Sequence, residues 1–270
     1  MQRRILIVDD HDDLSSALEE VFSKAGYFVK TTESRDEAVR LDETHDYDVV
    51  ITDLDGDAAF PEENAETDDQ CLPTLEADDS GRSFVRAFKI CATNFRRENF
   101  SEEELKHVFE TILNYKALHV DKTQLVNQIR EKIEFEFPSA ISLMHNILDY
   151  LMKRVEKVGV INPESSNLFI ALDEAFVNAV KHGNKFDKDK IVRVSAEVSP
   201  TEARFTIEDE GEGFDVQSIP DPRNPENLFK TSGRGVLFIY NIMDEVKYNE
   251  RGNRLTMVKK SEVPSPKSQI

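Results

Sequence analysis

Glu174 and Asn178 stand four residues apart, with Lys181 and His182 just beyond, so on a helix the first two share a face and the others lie close by. A carboxylate there can accept a proton from an attacking hydroxyl. A neutral carboxamide oxygen suits Mg²⁺, which takes hard oxygen ligands and keeps several waters. Further on, Asp209-Glu210-Gly211-Glu212-Gly213 offers a carboxylate able to accept a hydrogen bond from an exocyclic amine such as that of adenine. The two glycines after it let the backbone turn sharply and approach a flat ring. Ser232-Gly233-Arg234-Gly235 then precedes an apolar stretch, Val236 to Met243. Glycines ahead of a helix leave amides free for an anion, the helix dipole adds attraction, and Arg234 is available to phosphates or a partner. Singly, the segments have ordinary readings as a polar helix face, a glycine turn and a loop. In this order they read as a nucleotide pocket.

The elements that must position these groups are legible. Leu168, Ala171, Leu172, Ala175, Ala179 and Val180 recur at helical spacing, and Gly183 stands where a helix stops. Arg204-Phe205-Thr206-Ile207-Glu208 alternates like a strand, which places Asp209 at a strand end.

Glu174…Asn178, Asp209-x-Gly211-x-Gly213 and Gly233-Arg234-Gly235 resemble the N, G1 and G2 boxes of the Bergerat-fold, histidine-kinase-like ATPases. Ile219-Pro220-Asp221-Pro222, Pro225-Glu226-Asn227-Leu228, Ser232-Gly233-Arg234-Gly235 and Met243-Asp244-Glu245-Val246 narrow the resemblance to the anti-sigma-factor serine/threonine kinases. The likeness covers roughly residues 130–262. It implies an α+β domain that binds ATP and Mg²⁺, with Glu174 as general base, Asn178 as metal ligand, Asp209 as adenine anchor and residues 214–232 as a lid over the phosphates. It also implies a sigma factor or equivalent target as partner, and a small anti-anti-sigma-type antagonist as the phosphorylated protein. A non-catalytic ATP-binding switch is the alternative. His145 lacks the acidic neighbour and proline of a histidine-kinase phosphoacceptor box, so it reads as an ordinary helix residue, as do His45, His107 and His119.

The N-terminal half has a different pattern. Ile5-Leu6-Ile7-Val8 is a continuous apolar run, as in a buried parallel strand, and ends in Asp9-Asp10. A helix follows with Leu14, Leu18, Val21 and Phe22 on one face, then a strand over Tyr27–Thr32, a helix about Glu37–Leu41, and a strand Val49–Thr52 ending at Asp53. This order predicts a doubly wound α/β sheet with Asp9, Asp10 and Asp53 at one edge. Three like charges so close are costly without a cation, which argues for Mg²⁺. The pattern resembles a response-regulator receiver domain. The resemblance implies Asp9 and Asp10 as metal ligands and Asp53 as the third ligand and phosphoacceptor of an upstream histidine kinase. It breaks down after residue 55. An acidic stretch, residues 55–81, holds ten Asp or Glu and no Lys or Arg, and reads as a solvated loop. Only Phe84–Thr93 then looks strand-like, no Lys-Pro pair occurs, and Ser83, Thr93 and Lys89 sit in no convincing receiver frame. A pseudo-receiver that acts only by docking stays open.

The domains expected are a receiver-like domain over 1–100, a last receiver helix and connecting helix over 101–131, an ATPase domain over 132–262 opened by the strand Ile133–Pro138, and a disordered tail over 263–270. Ser101 and Glu104 form a capping box, and Leu105, Val108, Ile112, Tyr115, Leu118, Leu125, Val126 and Ile129 make an apolar stripe. That stripe fits either a short dimerising coil or a helix packed on its own domains. A net charge of −19 argues against nucleic acid. No run is apolar enough for a membrane span or signal peptide, so a cytoplasmic chain is expected, with Cys71 and Cys91 as free thiols.

Overall fold

The structure is a computed structural model that describes residues 2–10, 13–33, 38, 47–57, 84–92, 101–120, 130–162, 166–214 and 234–261. It divides into two compact units, Met1–Phe137 and Pro138–Ile270.

In the first unit, β1 (Arg4–Asp9) pairs in parallel with β2 (Phe28–Thr32) on one side and β3 (Val49–Asp57) on the other. Ile5 to Val8 are at most 1% exposed, as a central strand buried on both faces requires. Helix α1 (Asp13–Lys24) makes the crossover from β1 to β2 and buries Leu14, Leu18 and Phe22, one turn apart. The β1–β3 register sets Asp9 beside Asp53, so both carboxylates belong to one edge of the sheet.

The next strand turns against this pattern. β4 (Phe84–Cys91) is antiparallel to β3, pairing Asp57 with Phe84 and Val50 with Cys91. β5 (Arg130–Pro138), the strand expected to open the ATPase domain, runs parallel to β4, and its buried residues through Phe137 fall within the first unit. Cys91, buried in this sheet, is disulfide-bonded rather than the free thiol expected; compartment arguments count cysteines but do not see which sulfurs the fold brings together. Helix α2 (Glu102–Val120) is capped by Ser101 Oγ, which accepts the Glu104 N–H at 3.1 Å as the capping box requires. Its buried face is Leu105, Val108, Phe109, Ile112, Leu113 and Lys116. Tyr115 is only half-buried and Leu118 is 66% exposed, so the expected stripe drifts off the core side from its fourth turn. Residues 121–129 of the expected connecting helix, most of the acidic stretch, Ser83, Thr93, the second receiver helix apart from Ala38, and the tail lie outside the described residues.

The second unit sets helices against an antiparallel sheet of order β6-β7-β9-β8, over Ile191–Val198, Glu202–Asp209, Arg254–Lys260 and Glu245–Tyr248 respectively. Helix α3 (Ile141–Val158) buries Leu143, Ile147, Leu151 and Val155 and is stopped by Gly159 at φ 83°. It packs on β6 and on α4 (Leu168–Val177), which in turn packs on α5 (Arg234–Ile242). His145 is exposed on α3, edge-on to Phe169. Along β7 every second residue is buried, namely Ala203, Phe205, Ile207 and Asp209. Strand periodicity therefore delivers a carboxylate to the core side at the strand end.

Candidate functional site

Helix α4 runs directly into a π-helical turn, Asn178–Gly183. Its widened spacing is seen where the Asn184 amide donates to the Ala179 carbonyl at 2.8 Å. Glu174 lies in the last turn of α4 and Asn178 opens the π turn; both are half-buried. Lys181 and His182 follow in the same turn and are exposed.

Two glycines admit the two carboxylates of the site. A Cβ on Gly183 would come within 2.3–2.4 Å of the Asp209 carboxylate atoms, and one on Gly235 within 2.1 Å of Glu174 Oε2. Any side chain at either position would displace the acid. The helix α4 with its π turn thus meets Asp209 at its C-terminal end, at Gly183, and the first turn of α5 through Glu174 in its middle. Gly235 and Arg234 open α5, while Ser232, Gly233 and the expected lid beyond Phe214 lie outside the described residues.

Asp209 is 8% exposed. Its Oδ1 accepts the Gly211 N–H at 2.7 Å. Among the described residues its Oδ2 accepts no hydrogen bond. Burial holds the carboxyl above its ordinary titration range, and the Gly211 amide offsets part of that rise. Gly213, at φ 76°, brings the loop against the Arg251 carbonyl.

Several positioning groups carry no motif. Asn184 is fully buried; its Nδ2 donates to Ser139 Oγ (2.7 Å) and the Ile191 carbonyl (2.9 Å), and its Oδ1 accepts the Glu210 N–H (2.8 Å). It ties the π turn to the glycine loop. Asn253 and Arg251 bond the same loop from the β8–β9 turn. An asparagine or arginine in a loop has no spacing signal, so sequence reasoning passes over all three.

The N-terminal carboxylates have other partners. Asp9 Oδ2 accepts the amides of Leu14 (3.1 Å) and Ser15 (2.8 Å), the first turn of α1, which satisfies helix-end donors. Asp53 pairs with Lys116 Nζ, on α2, and that ammonium lies 5.1 Å over the Phe88 ring. Asp10 is exposed. The expected Mg²⁺ cage of Asp9, Asp10 and Asp53 is not assembled: among the described residues, no group of three or more His, Cys, Asp or Glu is placed to hold a metal. The charge that a cation would offset at Asp53 is offset by Lys116. Lys89, weighed as the receiver lysine, pairs with Glu136 at 2.7 Å. A signal for Lys116 existed in the sequence, since a lysine four residues after Ile112 falls in phase with the buried stripe.

Among the described residues, no helix is long and apolar enough to cross a membrane. Comparison with known families matches residues 137–259 to the histidine kinase-like ATPase domain and residues 5–55 to the response regulator receiver domain. The chain is 27% identical over 138 residues to serine-protein kinase RsbW of Staphylococcus epidermidis, covering 48% of this chain and 87% of that protein. It is 28% identical over 135 residues to serine-protein kinase RsbW of Staphylococcus aureus (strain JH9), covering 47% and 85%. The receiver match ends at residue 55, within β3 and just before the strand direction reverses. The chain thus joins an N-terminal response regulator receiver segment to a C-terminal histidine kinase-like ATPase domain.

Proposed function

We propose that the C-terminal unit is a protein serine/threonine kinase of the anti-sigma-factor type, governed by the N-terminal unit. The observation that carries this reading is the double seating of acids on glycines: Asp209 against Gly183 and Glu174 against Gly235. One end offers Asp209 Oδ2 to the adenine amine in a buried setting. The other sets Glu174 at the first turn of α5, where helix amides favour a phosphate. A serine or threonine hydroxyl oxygen attacks the γ-phosphorus, the bond to the β–γ bridging oxygen breaks, ADP leaves, and the hydroxyl proton passes to Glu174. Asn178, a neutral oxygen donor one turn beyond Glu174, fits a hard cation already surrounded by phosphate charge. When bound there, Mg²⁺ would neutralise charge on the triphosphate. Such transfer depends on positioning and electrostatics more than on covalent help from the protein.

The partners of this reading are a sigma factor or equivalent target and a small antagonist protein that receives the phosphate. Added phosphate charge on the antagonist can reverse its binding. Radiolabelled ATP with candidate antagonists tests the reading. Label should reach the antagonist with the wild type and be lost with Glu174→Ala. Nucleotide binding without transfer, equal in both proteins, would instead support a non-catalytic switch. For the N-terminal unit, Asp53 is proposed as the phosphoacceptor. Acetyl phosphate should label the wild type and not Asp53→Asn; an unlabelled wild type would leave a pseudo-receiver that acts by docking.

A further inference from the structure

We infer that the β8–β9 turn, Asn249 to Asn253, is the positioning shell of the base site and sets how tightly and how selectively the purine is held. The inference rests on the proposed reading that Asp209 receives the adenine amine. Asn253 is 7% exposed, and its Nδ2 donates to the Asp209 carbonyl at 2.7 Å while its own carbonyl accepts the Asp209 N–H at 3.0 Å. The Asp209 main chain is therefore gripped on both sides by one residue. Arg251 Nη2 donates to the Gly211 carbonyl at 2.8 Å, and the Arg251 carbonyl accepts the Phe214 N–H at 3.1 Å. Three successive points of the glycine loop are thus bonded to a turn some forty residues later in the chain.

The turn itself is held rigid. Asn249 Oδ1 accepts the amides of Gly252 (2.9 Å), Asn253 (3.1 Å) and Arg254 (3.2 Å). Asn249 Nδ2 donates to Asn253 Oδ1 at 3.0 Å, which fixes the Asn253 carboxamide with its NH₂ toward Asp209. None of these bonds is spent on the Asp209 carboxylate. They fix the main chain from which it hangs, and leave Oδ2 to the ligand. Adenine presents an amine at this point, whereas guanine presents a carbonyl there. A rigidly placed carboxylate distinguishes the two, and a loosened one does so less well.

The full chain should be titrated calorimetrically with Mg·AMP-PNP, Mg·GMP-PNP and Mg·tripolyphosphate, which has no base. Asn253→Ala should weaken AMP-PNP binding about 3- to 10-fold, the loss expected from one positioning hydrogen bond. It should also lower the AMP-PNP to GMP-PNP ratio and leave tripolyphosphate unchanged. In an Asp209→Ala background, Asn253→Ala should add nothing. Arg251→Met should act in the same direction and Arg251→Lys, which keeps a donor, should recover part of the loss; this pair carries the test if Asn253→Ala does not fold. Equal loss for all three ligands would mark the turn as merely structural and overturn the inference. So would an unchanged selectivity ratio in Asn253→Ala and Arg251→Met while Asp209→Ala loses adenine binding. If Asp209→Ala itself binds AMP-PNP like the wild type, the base-site reading fails first and the inference falls with it.

Discussion

Lys116→Met should destabilise the first unit by about 3–5 kcal/mol, the usual cost of removing one partner from a buried ion pair. The magnitude follows from how fully the pair is enclosed: the Lys116 side chain is 3% exposed and that of Asp53 is 11%. Methionine fills nearly the same space as the lysine stem, so the loss is that of the ammonium beside the Asp53 carboxylate rather than a cavity. Urea unfolding followed by far-UV circular dichroism reads the effect, with hydrogen exchange in β1 and β3 assigning the transition to this unit. With a urea slope of about 2 kcal/mol per M, the midpoint should fall by roughly 1.5–2.5 M. The double variant Lys116→Met/Asp53→Asn carries neither charge and should recover most of the loss, because the penalty belongs to a buried carboxylate that has lost its ammonium. A Lys116→Met midpoint within about 0.3 M of the wild type, the shift of a neutral surface change, would refute the argument. So would a double variant as unstable as the sum of the two singles.

Gly235→Ala puts a Cβ 2.1 Å from Glu174 Oε2, so phosphoryl transfer to a candidate antagonist should drop at least about tenfold; unchanged rates would show that Glu174 is free to stand elsewhere. Asn178→Ala should abolish calorimetric binding of Mg·ATP, and wild-type affinity would argue against the metal assignment. Asp209→Asn should remove a pH dependence of stability. The folded carboxyl titrates above its ordinary 3.8, so the native state binds the extra proton and stability falls as pH rises from 3.8 through the raised value. The variant should flatten that part of the curve and gain stability at neutral pH, and an unaltered profile would sink the assignment.

What sequence reasoning reached was local. Four consecutive apolar residues ending in Asp9 were enough to place β1, and the same logic placed the start of β3, but that strand runs on to Asp57, four residues past the end expected at Asp53, because its pairing with β4 continues the ladder. The alternation of β7 put Asp209 at its strand end, and the capping box at Ser101 and Glu104 is seen in the structure. What it missed was settled by tertiary pairing. The phase of α2 went astray because Tyr115 and Leu118 looked apolar while Lys116 looked polar, and an aliphatic stem with its charge paired counts as core. The direction of β4 is written in no local pattern, since an apolar strand reads alike in either sense. Asn184 and Asn253 matter through bonds across 26 and 44 residues, which spacing rules do not reach.

The reversal of β4 has a practical consequence for mapping contacts on the N-terminal unit. In a wholly parallel sheet every strand would discharge its following loop at the edge where Asp9 and Asp53 stand. Here that edge instead receives the entrances of β4 and β5, near Phe84 and Arg130, while Cys91 and Glu136 sit beside the upstream end of β3. A protein docking over Asp53 would meet the first residues of those two strands, and a footprint transferred from an all-parallel receiver would point to the opposite rim.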